Sequence, residues 1–192
     1  MRFFQRFCVV SMALVFLGLF VPASHAQAAN SNVGTVTITA TMAESLTVTI
    51  NSGAAVTIPL LANTAVNGTA TTTGLTTAWT LKPGRTSVAV WAYFTSAGVA
   101  LLHQTAGNAT DIPSSAVQIS YNSGAFNTLN VVSPFNAAAS GLQIGPSIGI
   151  TGLNKHSSRT DTLGYNIDTT VVPQLQADNY IGTLNIEAQA TP

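Results

Sequence analysis

Apolar residues and threonine alternate one for one along much of this chain of 192 residues. Between residues 35 and 42, every second position is Val, Ile, Ala or Met, and each position between them is threonine. Strict alternation rich in β-branched residues is typical of strands with one buried and one solvated face. The same period of two returns in four later segments: 46–50, 117–121, 163–167 and 184–190. Almost nothing beyond residue 28 has a helical period, so the chain is predicted to be all-β.

Turn signals divide the alternating segments. Residues 82–85 read Lys-Pro-Gly-Arg, which fits a type II turn because proline fixes φ at its second position and glycine supplies a positive φ at its third. This turn predicts a hairpin between strands at 76–81 and 86–94. The spacing of such signals predicts a single antiparallel Ig-like β-sandwich of about eight to ten strands over residues 29–192.

Four further segments carry specific expectations. Residues 122–124 (Asn-Ser-Gly) predict a tight connection between neighbouring strands. Residues 86–94 are apolar on both faces, which indicates a central strand. Residues 63–74 are expected to be a loop or a weak edge strand. Residues 134–152, rich in Gly, Ala and Ser, are expected to form an irregular connection with one short strand.

The first segment of the chain, residues 1–28, has the pattern of a secretory signal peptide. Arg2 and Arg6 precede an apolar run, and residues 26–28 offer an A-x-A cleavage site, with an alternative cut after Ala26. The other interpretation is a short membrane anchor, but a span needs about 20 apolar residues and this run is shorter. We therefore expect export through the inner membrane, to the periplasm, the cell surface or the medium.

Charge is scarce, with 6 Lys+Arg, 6 Asp+Glu and a charged fraction of 6%. Soluble domains usually have about a quarter of their residues charged. A net charge near zero excludes a basic nucleic-acid binder, and the apolar content excludes charge-driven disorder. Threonine hydroxyls are expected to keep the strand surfaces solvated instead.

Catalytic and metal-binding patterns are weak. Residues 145–149 match G-x-S-x-G, but a nucleophile elbow at Ser147 needs a strand, a turn and a helix, and glycines follow here. The histidines beyond the leader, His103 and His156, have no metal-ligand spacing, and the carboxylates are scattered. We predict no enzyme and no catalytic, cofactor-binding or metal-binding residues. The competing hypothesis, a hydrolase using Ser147 or a carboxylate pair, requires measurable turnover.

Two surface features have both a functional and a structural interpretation. The charged cluster at 155–161 could contact an anion or a sugar from a loop, or could simply be a solvated hairpin tip. Trp79, Trp91, Tyr93 and Tyr180 could form a carbohydrate-stacking platform, although aromatic residues in strand-period runs are more often part of the core.

The two ends of the domain resemble the pilin subunits of chaperone–usher fimbriae, especially the archaic class with spore-coat-U-like domains. The front match is the alternating stretch 32–50, and the rear match is 177–190, which contains Asp178, Tyr180 and Gly182 in an Asp-x-Tyr-x-Gly-Thr strand. Leu46 stands where that family usually has a cysteine. The family disulfide is therefore not expected here.

This resemblance implies an Ig-like sandwich that lacks its last strand and is completed by the N-terminal segment of the next subunit, by β-strand addition. Residues 29–42 would be that donor segment, and Val36, Ile38, Ala40 and Met42 its inserted side chains. The implied partners are a periplasmic chaperone, an outer-membrane usher and further copies of the chain. The alternative is that residues 36–42 form the first strand of their own domain.

Together these observations predict an exported structural or adhesive surface subunit that is pilin-like. The competing interpretation is a secreted carbohydrate-binding β-sandwich that binds polysaccharide through Trp79, Trp91 or Tyr93. Donor-segment truncation would separate the first interpretation from the second, and tryptophan fluorescence with added polysaccharide would test the second.

Overall fold

The computed structural model describes residues 32–68 and 71–192, and for residues 136–139 it describes the backbone alone. The predicted leader, 1–28, and the first part of the predicted donor segment, 29–31, lie outside these residues. Residues 41–192 form one compact unit. The described part of the other unit, 32–40, has no strand.

Strands dominate the compact unit, and every pairing between them is antiparallel. Two short 3₁₀ turns, Ser114–Ala116 and Thr169–Val171, interrupt the β structure. Within the described residues the strands are β1 (Ser45–Ser52), β2 (Asn67–Gly68), β3 (Thr73–Thr80), β4 (Ser87–Tyr93), β5 (Leu102–His103), β6 (Val117–Tyr121), β7 (Phe126–Thr128), β8 (Val131–Ser133), β9 (Asn136–Gly149), β10 (His156–Ile167), β11 (Tyr180–Ile181) and β12 (Asn185–Thr191).

The strands form two main sheets. The larger has the order β1-β3-β10-β6-β7, with β2 also pairing with β10, and the second has the order β12-β4-β9-β8. A small separate pair joins β5 to β11. Inward side chains from both main sheets share one core, so the predicted antiparallel all-β sandwich is confirmed. The described strands outnumber the expected eight to ten because β2, β5 and β11 have only two residues each.

The sandwich has two distinct ends. At one, the connection 81–86 meets the hairpin tip 150–155: Leu81 N–H donates to Lys155 O at 2.8 Å and Ile150 N–H to Thr86 O at 2.7 Å. We call this the turn end, and β12 runs toward it. At the opposite end β4 and β10 finish and β12 begins, and the long connections 94–116 and 168–184 lie there. We call this the loop end.

The predicted hairpin at 82–85 is wrong in its pairing. Gly84 does adopt the positive φ expected of it, at 96°. However, β3 belongs to the larger sheet and β4 to the second sheet, so the connection crosses between sheets. Turn chemistry is local, whereas both edges of β3 are occupied by the distant strands β1 and β10.

The expectation for residues 134–152 is also wrong, because β9 is a strand of fourteen residues. Two of its glycines occupy close approaches between elements: a Cβ on Gly145 (φ 65°) would stand 2.6 Å from the ring of Tyr121, and one on Gly141 would stand 3.0 Å from Ala92 O. Low β-propensity therefore hid a strand whose small residues are required by packing.

Other expectations hold. β4 is central in its sheet, and Asn122 and Ser123 take positive φ in the tight turn between β6 and β7. The described residues of 63–74, which exclude 69 and 70, contain β2 and the start of β3.

Candidate functional site

One lateral side of the sandwich ends in two strands that each have a single neighbour. Within the described residues β1 pairs only with β3, and β12 pairs only with β4. The two strands contact each other across the gap between the sheets. We call this the open side. Strands with an unpaired edge present N–H and C=O groups that can accept another strand.

Burial falls sharply from the centre of the sandwich to the open side. The inward side chains of β4 and β10, such as Val90 and Leu163, are fully buried. Those of β1, β12 and the segment that follows β1 are apolar but only half-buried, although they pack against the same buried clusters. They are Leu46, Val48, Val56, Ile58, Leu60, Leu184, Ile186, Ala188 and Ala190.

The segment that follows β1 behaves like a strand without a ladder. Val56, Ile58 and Leu60 pack against the core, whereas Thr57 and Pro59 between them are exposed. No strand pairing within the described residues includes residues 56–60. The alternation of a strand is therefore present here without a strand ladder among the described residues.

The four predicted donor side chains are all exposed to solvent. Val36, Ile38 and Met42 are at least 85% exposed, and Ala40 is also exposed. Residues 32–44 have no strand assignment. The donor interpretation of 36–42 and its interpretation as the first strand of its own domain both stay predictions.

The start of β1 is fixed by an ion pair that the sequence pattern did not reveal. Arg85 donates two hydrogen bonds to the Glu44 carboxylate, from Nε at 2.9 Å and from Nη2 at 3.3 Å. Its third nitrogen donates to Ala190 O at 3.3 Å, and Lys82 Nζ lies 3.5 Å from the same carboxylate. The bonds from Arg85 lower the pKa of Glu44 to about 2. Residue 44, where the exposed segment joins the sandwich, is thereby held at the turn end beside the end of β12.

The start of β12 is set by the Asp-x-Tyr-x-Gly-Thr segment. The Asp178 carboxylate accepts hydrogen bonds from Asn108 Nδ2 at 2.8 Å, Thr105 Oγ1 at 2.7 Å and Thr105 N–H at 3.0 Å. These bonds, led by the one from Asn108, hold the pKa of Asp178 well below its usual range. The carboxylate thus ties the segment leading into β12 to the long connection after β4.

Tyr180 and Gly182 complete that attachment. The Tyr180 hydroxyl donates to Gln176 O at 2.8 Å and accepts from Asn108 Nδ2 at 3.0 Å. Any side chain at Gly182 would collide with the carbonyl oxygen of Ala100. The residues that carry the resemblance at the rear of the chain therefore position the open edge.

Both interpretations of the charged cluster at 155–161 are wrong for two of its members. Arg159 and Asp161 point into the sandwich from β10, where Arg159 Nε lies 2.7 Å from Asp161 Oδ2 and Asp161 is buried. Arg159 also donates to Pro146 O on β9 at 2.9 Å, which ties the two sheets together. Since β10 begins at His156, only the first residues of the cluster lie at the hairpin tip.

The four aromatic residues do not lie on one surface. Trp79 is buried in the core, which confirms that interpretation for it, and its Nε1 donates to Asn154 O at 2.8 Å. Tyr93 is also buried, but it shares the outer face of β4 with Trp91, and its ring stacks on that of Phe135 at 5.8 Å. Trp91 and Tyr180 are half-buried. Tyr180 is held in the attachment described above, and Trp91 lies across from Glu187 and Gln143 on the outer face of the second sheet.

The remaining candidate residues each contact a polar group nearby. Ser147 is on strand β9, where its hydroxyl accepts a bond from Gln143 Nε2 at 3.2 Å, and no helix follows. His103 Nδ1 lies 2.7 Å from Asp111 Oδ1, and His156 Nδ1 lies 2.8 Å from Thr80 Oγ1. The described part of the chain contains no group of three or more metal-ligating His, Cys, Asp or Glu residues.

No helix among the described residues is long and apolar enough to cross a membrane. Comparison of the chain with protein-family models, with curated proteins and with solved structures finds no match.

Proposed function

We propose that this chain is an exported structural or adhesive surface subunit, pilin-like in kind, that assembles by donor-strand exchange. The segment 32–43 of one copy occupies the open side of the next copy and pairs with the free edge of β12. The observation that supports this is the ring of half-buried apolar side chains around two unpaired strand edges. It combines backbone groups that can accept a strand with apolar sites that can accept its side chains.

The exposed segment has the chemistry that such a site needs. Val36, Ile38, Ala40 and Met42 all fall on one face when the segment is extended, because side chains alternate in a strand. They span seven residues, and β12 also has seven residues. Full burial of a side chain of this size stabilises a complex by about 1.5–3 kcal/mol. The segment with these side chains in water is therefore less stable than the segment with them buried in a complex.

A subunit with an open side of this kind needs a partner that covers it before assembly. Unpaired edges flanked by apolar side chains are templates for non-specific aggregation. A periplasmic chaperone that covers the open side, and an outer-membrane usher that receives the subunit, are the partners implied by the family resemblance.

The test uses the exported full chain carrying Ile38→Asp, which disables its own donor segment and leaves the sandwich intact. A fluorescent peptide of residues 32–43 is added, and binding is followed by anisotropy. We expect the wild-type peptide to bind, a Thr39→Asp peptide to bind comparably and an Ile38→Asp peptide to bind at least tenfold more weakly, since the aspartate would enter an apolar site.

Equal binding of the two aspartate peptides would contradict insertion of the apolar face. Absence of binding by the wild-type peptide to a folded chain, checked by circular dichroism, would overturn donor-strand exchange altogether.

A further inference from the structure

The charges of the compact unit are separated along its long axis. Lys82, Arg85 and Lys155 lie at the turn end with Glu44, which gives a formal charge of 3 − 1 = +2. Strand directions place three carboxylates, Asp111, Asp168 and Asp178, at the loop end, for a formal charge of −3. Of the remaining charged residues, Arg159 and Asp161 neutralise each other inside the sandwich, and Glu187 is on β12.

The turn end also presents one apolar side chain on a structured tip. Leu153, in the hairpin between β9 and β10, is 100% exposed. Asn154 beside it holds the turn: its Oδ1 accepts from Thr151 N–H at 2.7 Å, its Nδ2 donates to Gly149 O at 2.9 Å and its carbonyl accepts from the buried Trp79. The hydrogen bonds of Asn154 therefore hold a fully exposed leucine in one defined position at the tip.

The loop end has a cavity with apolar side chains at its mouth. Its volume is about 300 Å³, and it lies between the end of β4 and the strand pair β5–β11. Its lining is mixed: Phe94, Val99, Leu102 and Ile181 are apolar, and Thr95, Thr183 and Asn185 are polar. Leu102 is 48% exposed and Ile181 is 62% exposed, so these two side chains are accessible to an apolar group.

We infer that the turn end of one copy docks into the loop end of a second copy, with Leu153 in this cavity and the cations of the tip beside the carboxylates. The occupant is another copy of this chain because the complementary features, opposite charge and a leucine against a cavity with apolar side chains at its mouth, are both present on one molecule. The two features lie at opposite ends, so the contact is head-to-tail and repeats as an open filament. It uses only the ends of the sandwich and stands apart from donor-strand exchange.

The test uses the exported full chain with Ile38→Asp throughout, so that donor-strand exchange does not contribute. Sedimentation velocity at rising protein concentration measures self-association. We expect concentration-dependent association that weakens as salt rises to about 0.5 M, because the opposed charges are at least partly accessible to solvent. Leu153→Ser should weaken it about tenfold or more, since an apolar side chain loses its burial. Val132→Ser, which alters an exposed valine on β8, is the matched control and should leave it unchanged.

A mixing experiment distinguishes a head-to-tail contact from a symmetric one. Leu153→Ser weakens one end and Ile181→Arg weakens the other, so each variant alone should be monomeric at concentrations where the parent associates. Mixed together, they should form dimers and nothing larger, because one intact end of each kind remains. Three results would each overturn the contact. The first is a chain with Ile38→Asp alone that stays monomeric, and the second is an equal effect of Leu153→Ser and Val132→Ser. The third is a mixture of the two end variants that does not dimerise. None of these results bears on peptide binding at the open side.

Discussion

The two lateral sides of the sandwich differ in how they cover the apolar side chains at the edges of the two sheets. On one side the chain passes directly from β7 in the larger sheet to β8 in the second sheet, and Leu129 in this crossing is fully buried. We call it the closed side. On the open side, β1 and β12 come from distant parts of the chain and no crossing joins them. A covalent crossing buries its own apolar residues, whereas two independent edges leave theirs half-buried and able to receive another strand.

The largest expected effect contrasts two isoleucines. Ile119 on β6 is buried beside the closed side, and Ile186 on β12 is half-buried on the open side. Ile119→Ala should lower the free energy of unfolding by about 2–5 kcal/mol, as for a buried cavity. Ile186→Ala should cost clearly less, because less of its surface leaves water on folding. Urea denaturation of both variants measures the difference, and equal losses would show that the two sides are packed alike.

The next effect concerns binding at the open side. Ile186→Asp should weaken binding of the 32–43 peptide more than tenfold, because a carboxylate replaces an apolar contact. Gln189→Asp lies on the opposite face of the same strand and should bind the peptide nearly as well as the parent does. The parent and both variants all carry Ile38→Asp. Anisotropy titration provides the comparison. An equal loss for both variants would indicate that net charge, and no specific site, governs the interaction.

Acid should loosen the open side before the closed side. The pKa values of Asp178 and Asp111 are lowered in the folded chain from ordinary values of 3.8, mainly by hydrogen bonds from Asn108 and His103 respectively. Groups lowered in this way stabilise the fold above their unfolded pKa, and that contribution is lost as the pH falls through the folded pKa. Both carboxylates hold connections at the loop end, where β12 begins.

Hydrogen exchange measured at neutral pH and at about pH 3, corrected for the intrinsic rate, should therefore show β11 and β12 losing protection before β6 and β10. Asp178→Asn should make stability less dependent on pH in this range. Simultaneous loss of protection in all four strands would mean that the two sides unfold as one unit.

The smallest effect is expected at the start of β1. Glu44→Gln removes the charge that Arg85 and Lys82 share, and exposed ion pairs contribute little to stability. We expect almost no change in Tm, but faster amide exchange in the first residues of β1. Thr47→Ala, on the outer face of the same strand, is the control. A large drop in Tm for Glu44→Gln would show that this attachment supports the whole open side.

The sequence by itself determined the fold class and the positions of several strands. Alternation located β1, β6, β10 and β12, because burial of one face imposes a period of two wherever a strand lies. It could not find β9, whose small residues are required by neighbours such as Tyr121 that are distant in sequence. The sequence also could not show that Arg159 and Asp161 face inward. The same pattern of two opposite charges, two residues apart, occurs both at solvated hairpin tips and in buried ion pairs.

Pairing and the candidate site were decided only by the tertiary structure. The turn at 82–85 was correctly predicted to need a glycine with positive φ, but which strands it serves depends on edges already occupied by β1 and β10. Residues 36–42 have the same apolar alternation as the strands of the core, so the sequence cannot tell a segment that is buried from one that is available. The difference lies in whether a partner edge exists, and partner edges are set by contacts between residues far apart in the chain.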